Sequence, residues 1–542
     1  GGPITSDNSG AEIYCTIFAF RESPHQEGVL WAGSDDGLIH ISMDGGQNWE
    51  NITPPADMLP EWARISIIEL SPHQEGKAYV AANRYQLDDN RPYLLKTEDH
   101  GKTWTEINNG IRPDDITRTI REDPVKPGLL YCGTETGLYV SFDDGANWES
   151  LQPEATRGLP GSLPVTPIYD LVIKGDDMVV ATNGRSFWIL DDITPLRQMA
   201  DANLEEITLF QPRDTIRWRI NQGFMRTEDP TRFGYKMTGP VTVTTRLQRD
   251  IYGNYVEQFV NAGENPPDGV LVHWWLPEET EEEIKISFLD KDGNELRTYS
   301  SKADDENKLP VRAGANRLQW DLRTKKPAEV KGGTSANRMV NMMMMNATPK
   351  VPPGDYQVKL TCGDVELAQS FTLLMDPRLP VTQDDLQAQY ELKSQIRDRL
   401  SEVNETINSL HSVREQIDQW VARSNGIEEI ANAAEAIKEK LGELENELML
   451  VDTGSPKLGP SGVREKLGAL ASMIDESDHP PTRQAQEVYA NLAEDAATYR
   501  QRLNSIVSSD VESFTSLLQR HNIPLISATA DVTSGQRETA AD

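Results

Sequence analysis

Two short stretches of the chain concentrate side chains that could bind a ligand or move protons. Residues 82–93 read ANRYQLDDNRPY, and residues 182–188 read TNGRSFW. Their guanidinium groups, carboxylates and aromatic rings offer paired charge and stacking surfaces within a few residues of one another. The candidate binding residues are Arg84, Tyr85, Asp88, Asp89, Arg91, Tyr93, Arg185 and Trp188. A salt-bridged loop that seals two adjacent structural units would use the same residue types, and this alternative stays open.

The sequence assigns no catalytic residue. Glycoside hydrolysis requires two carboxyl groups held at a defined separation across a pocket, and a sequence cannot measure that separation. The chain contains no GxSxG nucleophile elbow, no P-loop and no HExxH zinc motif. Its three cysteines, Cys15, Cys132 and Cys362, are too far apart for a CxxC metal site. We therefore predict no metal and no cofactor.

The bulk composition excludes some classes of partner. At 542 residues the chain is long enough for about three domains. Its formal net charge of −33 repels phosphate backbones, which argues against nucleic acid as a partner. No apolar run approaches the ~18 residues that a membrane-spanning helix needs. We therefore expect a protein that does not span a membrane and does not bind nucleic acid.

The candidate residues lie within a set of internal repeats. Residues 20–49, 68–104 and 120–148 align on their turns, and a degraded fourth copy occupies residues 171–196. Each copy contains a Pro or Gly turn, two short apolar strands and a polar hairpin. Short strands at even spacing with a repeated Gly and aromatic signature are typical of β-propeller blades. Residues 1–204 are therefore predicted to form about four blades of a partial ring.

The polar hairpins share one pattern, S/T-x-D-x-G-x-x-W. It is met by Ser42, Asp44, Gly46 and Trp49, by Thr97, Asp99, Gly101 and Trp104, and by Ser141, Asp143, Gly145 and Trp148. An Asp that accepts backbone N–H bonds, a Gly at positive φ and a Trp packed over the turn would lock a hairpin. We expect these residues to be structural and not catalytic.

With this pattern, the repeats resemble Asp-box (BNR) repeats, as found in sialidases and in sortilin-type propellers. Residues 80–104 and 183–196 are most similar to large bacterial proteins labelled sortilin-like or BNR-repeat glycosyl hydrolase. The resemblance implies a C-terminal portion of such a protein, whose ring an upstream propeller fragment or a companion chain completes. A sialidase-like site would need an arginine cluster, a Tyr nucleophile with a Glu partner and an Asp acid. The side chains available for the first three roles are Arg64, Arg84, Arg91, Arg118, Arg121, Arg185, Glu69, Glu122 and Tyr85.

The rest of the chain changes pattern twice. Alternating strands joined by polar turns over residues 205–380 suggest a β-sandwich of immunoglobulin or fibronectin type III. Apolar residues at helical spacing over residues 381–522 predict an antiparallel helical bundle. Residues 523–542 are predicted to be a disordered tail. The predicted fold class is thus multidomain, mainly β and then α.

Taken together, the sequence favours an exported, non-catalytic binding or scaffold protein. Its propeller would bind a protein, a peptide or a glycan, and its helical bundle could support oligomer formation. The resemblance implies an exported protein that is periplasmic, on the cell surface or secreted. The signal peptide that export requires is not present in this chain. The alternative is a sialidase-like glycoside hydrolase with a pocket on the propeller axis.

Overall fold

Four antiparallel sheets in series occupy residues 17–190 of the described chain. The computed structural model describes residues 15–152, 162–219, 227, 229–237, 241–331, 347–450 and 462–523. Nearly all of the tail predicted for residues 523–542 lies outside these ranges. Contacts divide the chain into two units. The first comprises Gly1–Trp320 and Asp355–Thr372, and the second comprises Asp321–Gly354 and Leu373–Asp542.

Each sheet follows the chain order of its strands. Sheet 1 contains β1 (Ile17–Glu22), β2 (Leu30–Ser34), β3 (Ile39–Ser42) and β4 (Glu50–Asn51). Sheet 2 contains β5 (Arg64–Leu70), β6 (Ala78–Arg84), β7 (Asp89–Thr97) and β8 (Thr105–Glu106). Sheet 3 contains β9 (Thr117–Glu122), β10 (Leu130–Thr134), β11 (Leu138–Ser141) and β12 (Glu149–Ser150), and sheet 4 contains β13 (Ile168–Lys174), β14 (Asp177–Thr182) and β15 (Phe187–Leu190).

The first strands of successive sheets are neighbours, so β1, β5, β9 and β13 form an inner row. Two turns share the sequence SPHQEG, at residues 23–28 and 71–76, and each makes the same kind of hydrogen bond to the next sheet. Nε2 of His25 lies 3.0 Å from the carbonyl oxygen of Ser71, and Nε2 of His73 lies 2.7 Å from that of Asp123. The two histidines therefore join sheets 1 and 2 and sheets 2 and 3. This series of sheets is the arrangement that the repeats predict for consecutive propeller blades.

The three turns that carry the S/T-x-D-x-G-x-x-W pattern have the same internal hydrogen bonds. In each, the Ser or Thr hydroxyl donates to the Asp carboxylate at 2.9, 2.9 and 2.8 Å and accepts from the amide of the box Gly at 2.9, 3.0 and 2.9 Å. The indoles differ: Trp104 and Trp148 donate to carbonyls of the preceding sheet, whereas Trp49 donates to Gly46 in its own turn. Of the three described copies, only the first thus has an indole that donates to its own turn.

These turns make the stability of the sheets depend on pH. Hydrogen bonds from the backbone and hydroxyl of Thr103 lower the pKa of Asp99 to about 2, and hydrogen bonds from Asn48 lower that of Asp44 to about 2. An Asp in an unfolded chain has a pKa of about 3.9, so the unfolded state binds more protons between the two values. This contribution is complete above about pH 4 and is lost as the pH falls towards about 2.

We predict that Asp99→Asn lowers the melting temperature at pH 5 more than at pH 2. At pH 5 the original protein has a charged Asp99 that the variant lacks, whereas at pH 2 the original protein has itself lost much of that charge. Calorimetry of the two proteins across this range measures the difference. A melting-temperature difference that does not change with pH would contradict the prediction.

Ten or more further strands complete the first unit. A short helix α1 (Thr194–Met199) is followed by a sheet of β16 (Thr208–Leu209), β21 (Val270–Leu276) and β24 (Gly314–Trp320). A second sheet contains β17 (Thr215–Ile216), β26 (Val365–Leu374), β25 (Gly354–Cys362), β22 (Ile284–Asp290) and β23 (Glu295–Ser300), and a third contains β18 (Gly234–Met237), β19 (Thr242–Arg249) and β20 (Tyr255–Phe259). The rings of Phe288 and Trp320 stack at 4.2 Å, which joins the first two sheets.

The second unit is mainly helical. Its helices are α2 (Gln383–Arg423), α3 (Glu428–Leu448), α4 (Val463–Asp475), α5 (Arg483–Ser505) and α6 (Glu512–Arg520), with a π-helical turn (Ile506–Val511) between the last two. Thr382 and Asp385 form a capping box at the start of α2. The helices share one apolar core that includes Ile396, Leu441 and Leu467. The order mainly β and then α is therefore confirmed.

An extended segment before residue 332 lies along α2. Asn404 donates to the carbonyl of Ala328 at 2.6 Å, and Asn408 donates to that of Glu329 at 2.9 Å. The backbone amide of Lys331 donates in turn to Asn408 at 2.8 Å. Side-chain amides thus satisfy backbone groups of a segment that pairs with no strand in the described ranges.

Candidate functional site

The inner strands share one irregularity at the same position. In each of β1, β5, β9 and β13 the pairing with the second strand skips one residue. The skipped residues are Phe18, Ser66, Arg118 and Tyr169. A β-bulge of this kind redirects a side chain away from the regular alternation, and such bulges are frequent beside functional sites. Four bulges at equivalent positions therefore take four side chains out of the regular alternation, and Phe18, Arg118 and Tyr169 among them contact neighbours along the inner row.

Three of these positions and two neighbours form a continuous stack, which we call the stacked row: Phe18, Arg64, Tyr85, Arg118 and Tyr169. The guanidinium carbon of Arg64 lies 4.8 Å from the ring centre of Phe18 and 6.0 Å from that of Tyr85. The guanidinium carbon of Arg118 lies 4.7 Å from the ring centre of Tyr85 and 4.9 Å from that of Tyr169. Rings and cations thus alternate across all four sheets.

The two ends of the stacked row are open to solvent, whereas its centre is held. Phe18 is 53% exposed and Tyr169 is 47% exposed. Arg118 is buried and donates two hydrogen bonds to Glu135 at 2.9 and 2.6 Å. Arg64 donates to Gln86 at 3.2 Å, while its Nε is buried without an acceptor in the described part of the chain. Fixed cations therefore hold exposed aromatic rings in place.

Four of the sequence-predicted residues meet around one carboxylate. Asp89 accepts from Arg84 at 3.0 Å, from Arg91 at 3.0 and 2.9 Å and from Tyr93 at 2.6 Å. The hydrogen bonds from Arg91 hold the pKa of Asp89 well below its usual range. Burial and the hydrogen bond to Asp89 raise the pKa of Tyr93 to about 12. The amide of Tyr93 also donates to Thr117 in sheet 3, so this cluster connects two sheets.

The other predicted residues are placed in two locations. Tyr85 lies in a 3-10 turn that ends at Asp88, whose φ of 57° is left-handed, and this turn presents the Tyr85 ring to the stacked row. Arg185 and Trp188 lie at the β14–β15 hairpin, where the Trp188 indole donates to the carbonyl of Arg185 at 2.9 Å. No contact between these two residues and the Asp89 cluster is found in the described ranges.

A second charged group joins three inner strands. Arg121 donates to Glu69 at 2.9 Å, to Asp170 at 2.7 Å and to the carbonyl of Leu171 at 3.1 Å. Burial raises the pKa of Glu69, although the charge of Arg121 opposes this shift. The side chain of Asp170 is 51% exposed. One guanidinium therefore lies between a largely buried carboxyl group, that of Glu69, and an exposed carboxylate, that of Asp170.

Sequence reasoning missed Phe18, Ser66 and Tyr169. A signal for two of them exists, because Phe18, Ser66 and Arg118 each precede the Ser or Asp of an S/D-P turn by five residues. Aligning the repeats on that turn would have placed one residue of each inner strand at the same level. Tyr169 could not have been found in this way, since the fourth copy has no such Pro.

The described residues contain neither a cluster of metal-ligand side chains nor a membrane-spanning helix. No group of three or more His, Cys, Asp or Glu side chains is arranged to hold a metal ion in the ranges that the structure covers. Among the described helices, none is long and apolar enough to cross a membrane.

This chain is similar to known proteins in structure but not in sequence. No protein-family profile matches the sequence, and no curated protein sequence is significantly similar to it. Among solved structures, YCF48 from Cyanidioschyzon merolae is similar at 15% identity and a TM-score of 0.25, over 48% of this chain and 80% of that one. YCF48 bound to D1 peptide is similar at 18% identity and a TM-score of 0.24, over 34% and 56%.

A glycoside hydrolase structure is similar to the same degree. The GH74 xyloglucanase from Xanthomonas campestris matches at 13% identity and a TM-score of 0.26, over 66% of this chain and 54% of that one. This chain therefore spans little more than half of the enzyme's length. At such identities and TM-scores the likeness says nothing about ligand, substrate or activity.

Proposed function

We propose that this protein binds a protein, peptide or glycan ligand along the stacked row and does so without catalysis. The observation that carries the proposal is the set of four bulges that direct Phe18, Arg118 and Tyr169 to one surface. Exposed rings such as Phe18 and Tyr169 offer stacking area for a sugar face or an aromatic side chain. Because cations on both sides of Tyr85 hold the rings in place, binding would cost little side-chain ordering.

The sequence-predicted residues take supporting roles in this proposal. Arg84, Asp89, Arg91 and Tyr93 brace the turn that carries Tyr85, and Asp88 ends that turn. Arg185 and Trp188 would contact the distal part of a long ligand. The larger setting that we propose is an exported Asp-box propeller segment over residues 1–204, an immunoglobulin-like or fibronectin-like sandwich over 205–380 and a helical assembly bundle over 381–522.

A second candidate function is glycoside hydrolysis, which one observation favours. Glu69, whose pKa burial raises, could donate a proton, and the exposed Asp170 could act as nucleophile or base. Both carboxyl groups are, however, bound to Arg121. Arg121 lies between the two carboxyl groups, where a sugar would have to bind. Glu69, Arg121 and Asp170 are therefore better explained as ion pairs that connect neighbouring strands.

Binding to arrays of glycans and peptides tests the proposal. We predict that Tyr169→Ala weakens binding of the best ligand roughly tenfold, which corresponds to about 1.4 kcal/mol, because a stacking surface is lost. The matched control is Phe187→Ala, which removes a 74% exposed ring outside the stacked row and should leave the affinity unchanged. Equal losses for the two variants would contradict the proposal.

Product analysis of the same ligands separates binding from hydrolysis. A binder leaves every glycan intact, and Glu69→Gln changes affinity only slightly. A hydrolase releases product, and Glu69→Gln lowers turnover by about a hundredfold or more while binding persists. Release of product that Glu69→Gln abolishes would establish the second candidate.

A further inference from the structure

One face of sheet 1 is open, although the same face of sheets 2 and 3 is buried. The strand pairing makes three positions of each sheet equivalent. In sheet 1 they are Ile17 (62% exposed), Phe20 (51%) and Trp49 (42%). In sheet 2 they are Ile65 (0%), Ile68 (1%) and Trp104 (8%), and in sheet 3 they are Thr117 (0%), Ile120 (0%) and Trp148 (4%). We call the positions of sheet 1, together with Gly46, the leading face.

In sheets 2 and 3 the preceding sheet covers this face through one isoleucine. The Trp104 indole donates to the carbonyl of Ile52 at 2.9 Å, and the Trp148 indole donates to that of Ile107 at 2.6 Å. A Cβ added to Gly101 would lie 2.5 Å from Cδ1 of Ile52. The box Gly and the box Trp thus form a slot that an isoleucine fills, and this isoleucine directly follows the fourth strand of the neighbour.

Among the described residues, no isoleucine fills the slot of the leading face. A Cβ added to Gly46 would meet no atom closer than 3.7 Å, and the nearest ones belong to Leu30 and to Trp49 itself. The Trp49 indole donates to the carbonyl of Gly46 at 3.1 Å. The equivalent indoles of sheets 2 and 3 donate instead to a carbonyl of the preceding sheet. Sheet 1 nevertheless has the same hydrogen bonds among Ser42, Asp44 and Gly46 as the equivalent residues of the other sheets, so the backbone of its slot is the same and only the indole bonds differently.

We propose that the leading face is an interaction surface for a further four-stranded sheet of the same repeat. Its isoleucine would fill the slot at Gly46, and the carbonyl of that isoleucine would accept the Trp49 indole. A Gly or Ala on its second strand would receive Ile17, as Gly33 of sheet 1 receives Ile65, where an added Cβ would lie 2.5 Å from Cγ2. The interface occurs twice within this chain, and the leading face continues it. This inference does not depend on the ligand of the stacked row.

Duplicating a sheet tests the proposal directly. In the test protein a second copy of residues 16–62 is inserted after Cys15, and Trp49→Phe in the copy gives its peptide a distinct mass. A parallel protein carries a copy of residues 63–115 in the same place. Hydroxyl-radical footprinting then reports the modification rate of the original Trp49, with Trp104 and Trp148 as internal controls for the integrity of the other sheets.

The expected result is a fall in the Trp49 modification rate of about fivefold, the ratio of its 42% exposure to the 8% of Trp104. Ile52→Asp in the inserted copy should restore the original rate, because a charge cannot occupy the slot. The proposal is overturned if Trp49 is modified at its original rate in both insertion proteins while Trp104 and Trp148 stay protected. It is also overturned if Trp49 in the unaltered protein becomes protected with rising concentration, since the occupant is then a second copy.

Discussion

Trp104→Ala is expected to lower the free energy of unfolding of the sheet-containing unit by about 3–5 kcal/mol. The side chain is 8% exposed and closes the junction between sheets 1 and 2. Its removal leaves a cavity beside Ile52 and takes away the indole that donates to the Ile52 carbonyl. Urea denaturation followed by circular dichroism in the β-sheet region measures the loss.

The chain provides its own control for this prediction. Trp49 occupies the same place in the same hairpin, but it is 42% exposed and donates only within its own turn. Trp49→Ala should therefore cost no more than about 1 kcal/mol. Similar losses of unfolding free energy for the two variants would show that the tryptophan stabilises its own turn and not the junction between sheets.

Lys393→Met is expected to destabilise the helical unit by about 3 kcal/mol, the lower end of the range for breaking a buried ion pair. The Lys393 side chain is 2% exposed and pairs with Asp475, whose side chain is 12% exposed. Burial alone would raise the pKa of Asp475, but Lys393 and Arg323 hold it below its usual value. The Arg323 guanidinium lies 2.9 Å from Asp475 and remains in the variant, which limits the loss.

Amide hydrogen exchange in α2 and α4 measures this effect, because those helices carry the two partners. The double variant Lys393→Met with Asp475→Leu should recover most of the lost protection, since replacing both charges leaves no unpaired carboxylate. A double variant that is no better than Lys393→Met would mean that the methylene chain of Lys393, and not its charge, stabilises the helices.

Local patterns allowed part of this architecture to be predicted. The turns around Asp44, Asp99 and Asp143 follow from their spacing, because the hydrogen bonds that these three carboxylates accept come from residues at most four apart. The helical second unit follows from apolar spacing in the same way. Such features depend on neighbours along the chain, which a sequence displays.

The different fates of the three box tryptophans could not be predicted. Trp49, Trp104 and Trp148 have nearly identical local sequences, and only the presence of a preceding sheet decides which of them is buried. The stacked row has the same cause, because its residues come from four sheets and meet through bulges that depend on strand pairing. Within the candidate stretches, the sequence indicated a cluster but did not distinguish the roles of its members. Asp89 accepts hydrogen bonds from three neighbouring side chains, whereas Tyr85 belongs to the stacked row.

The most direct test of the account is where a ligand makes contact. The best glycan or peptide from the arrays is added to the full chain, and hydroxyl-radical footprinting is compared with and without it. Binding along the stacked row predicts protection of Phe18 and Tyr169, with Phe187 in sheet 4 modified at an unchanged rate. Protection of other surfaces while Phe18 and Tyr169 keep their original rates would contradict it.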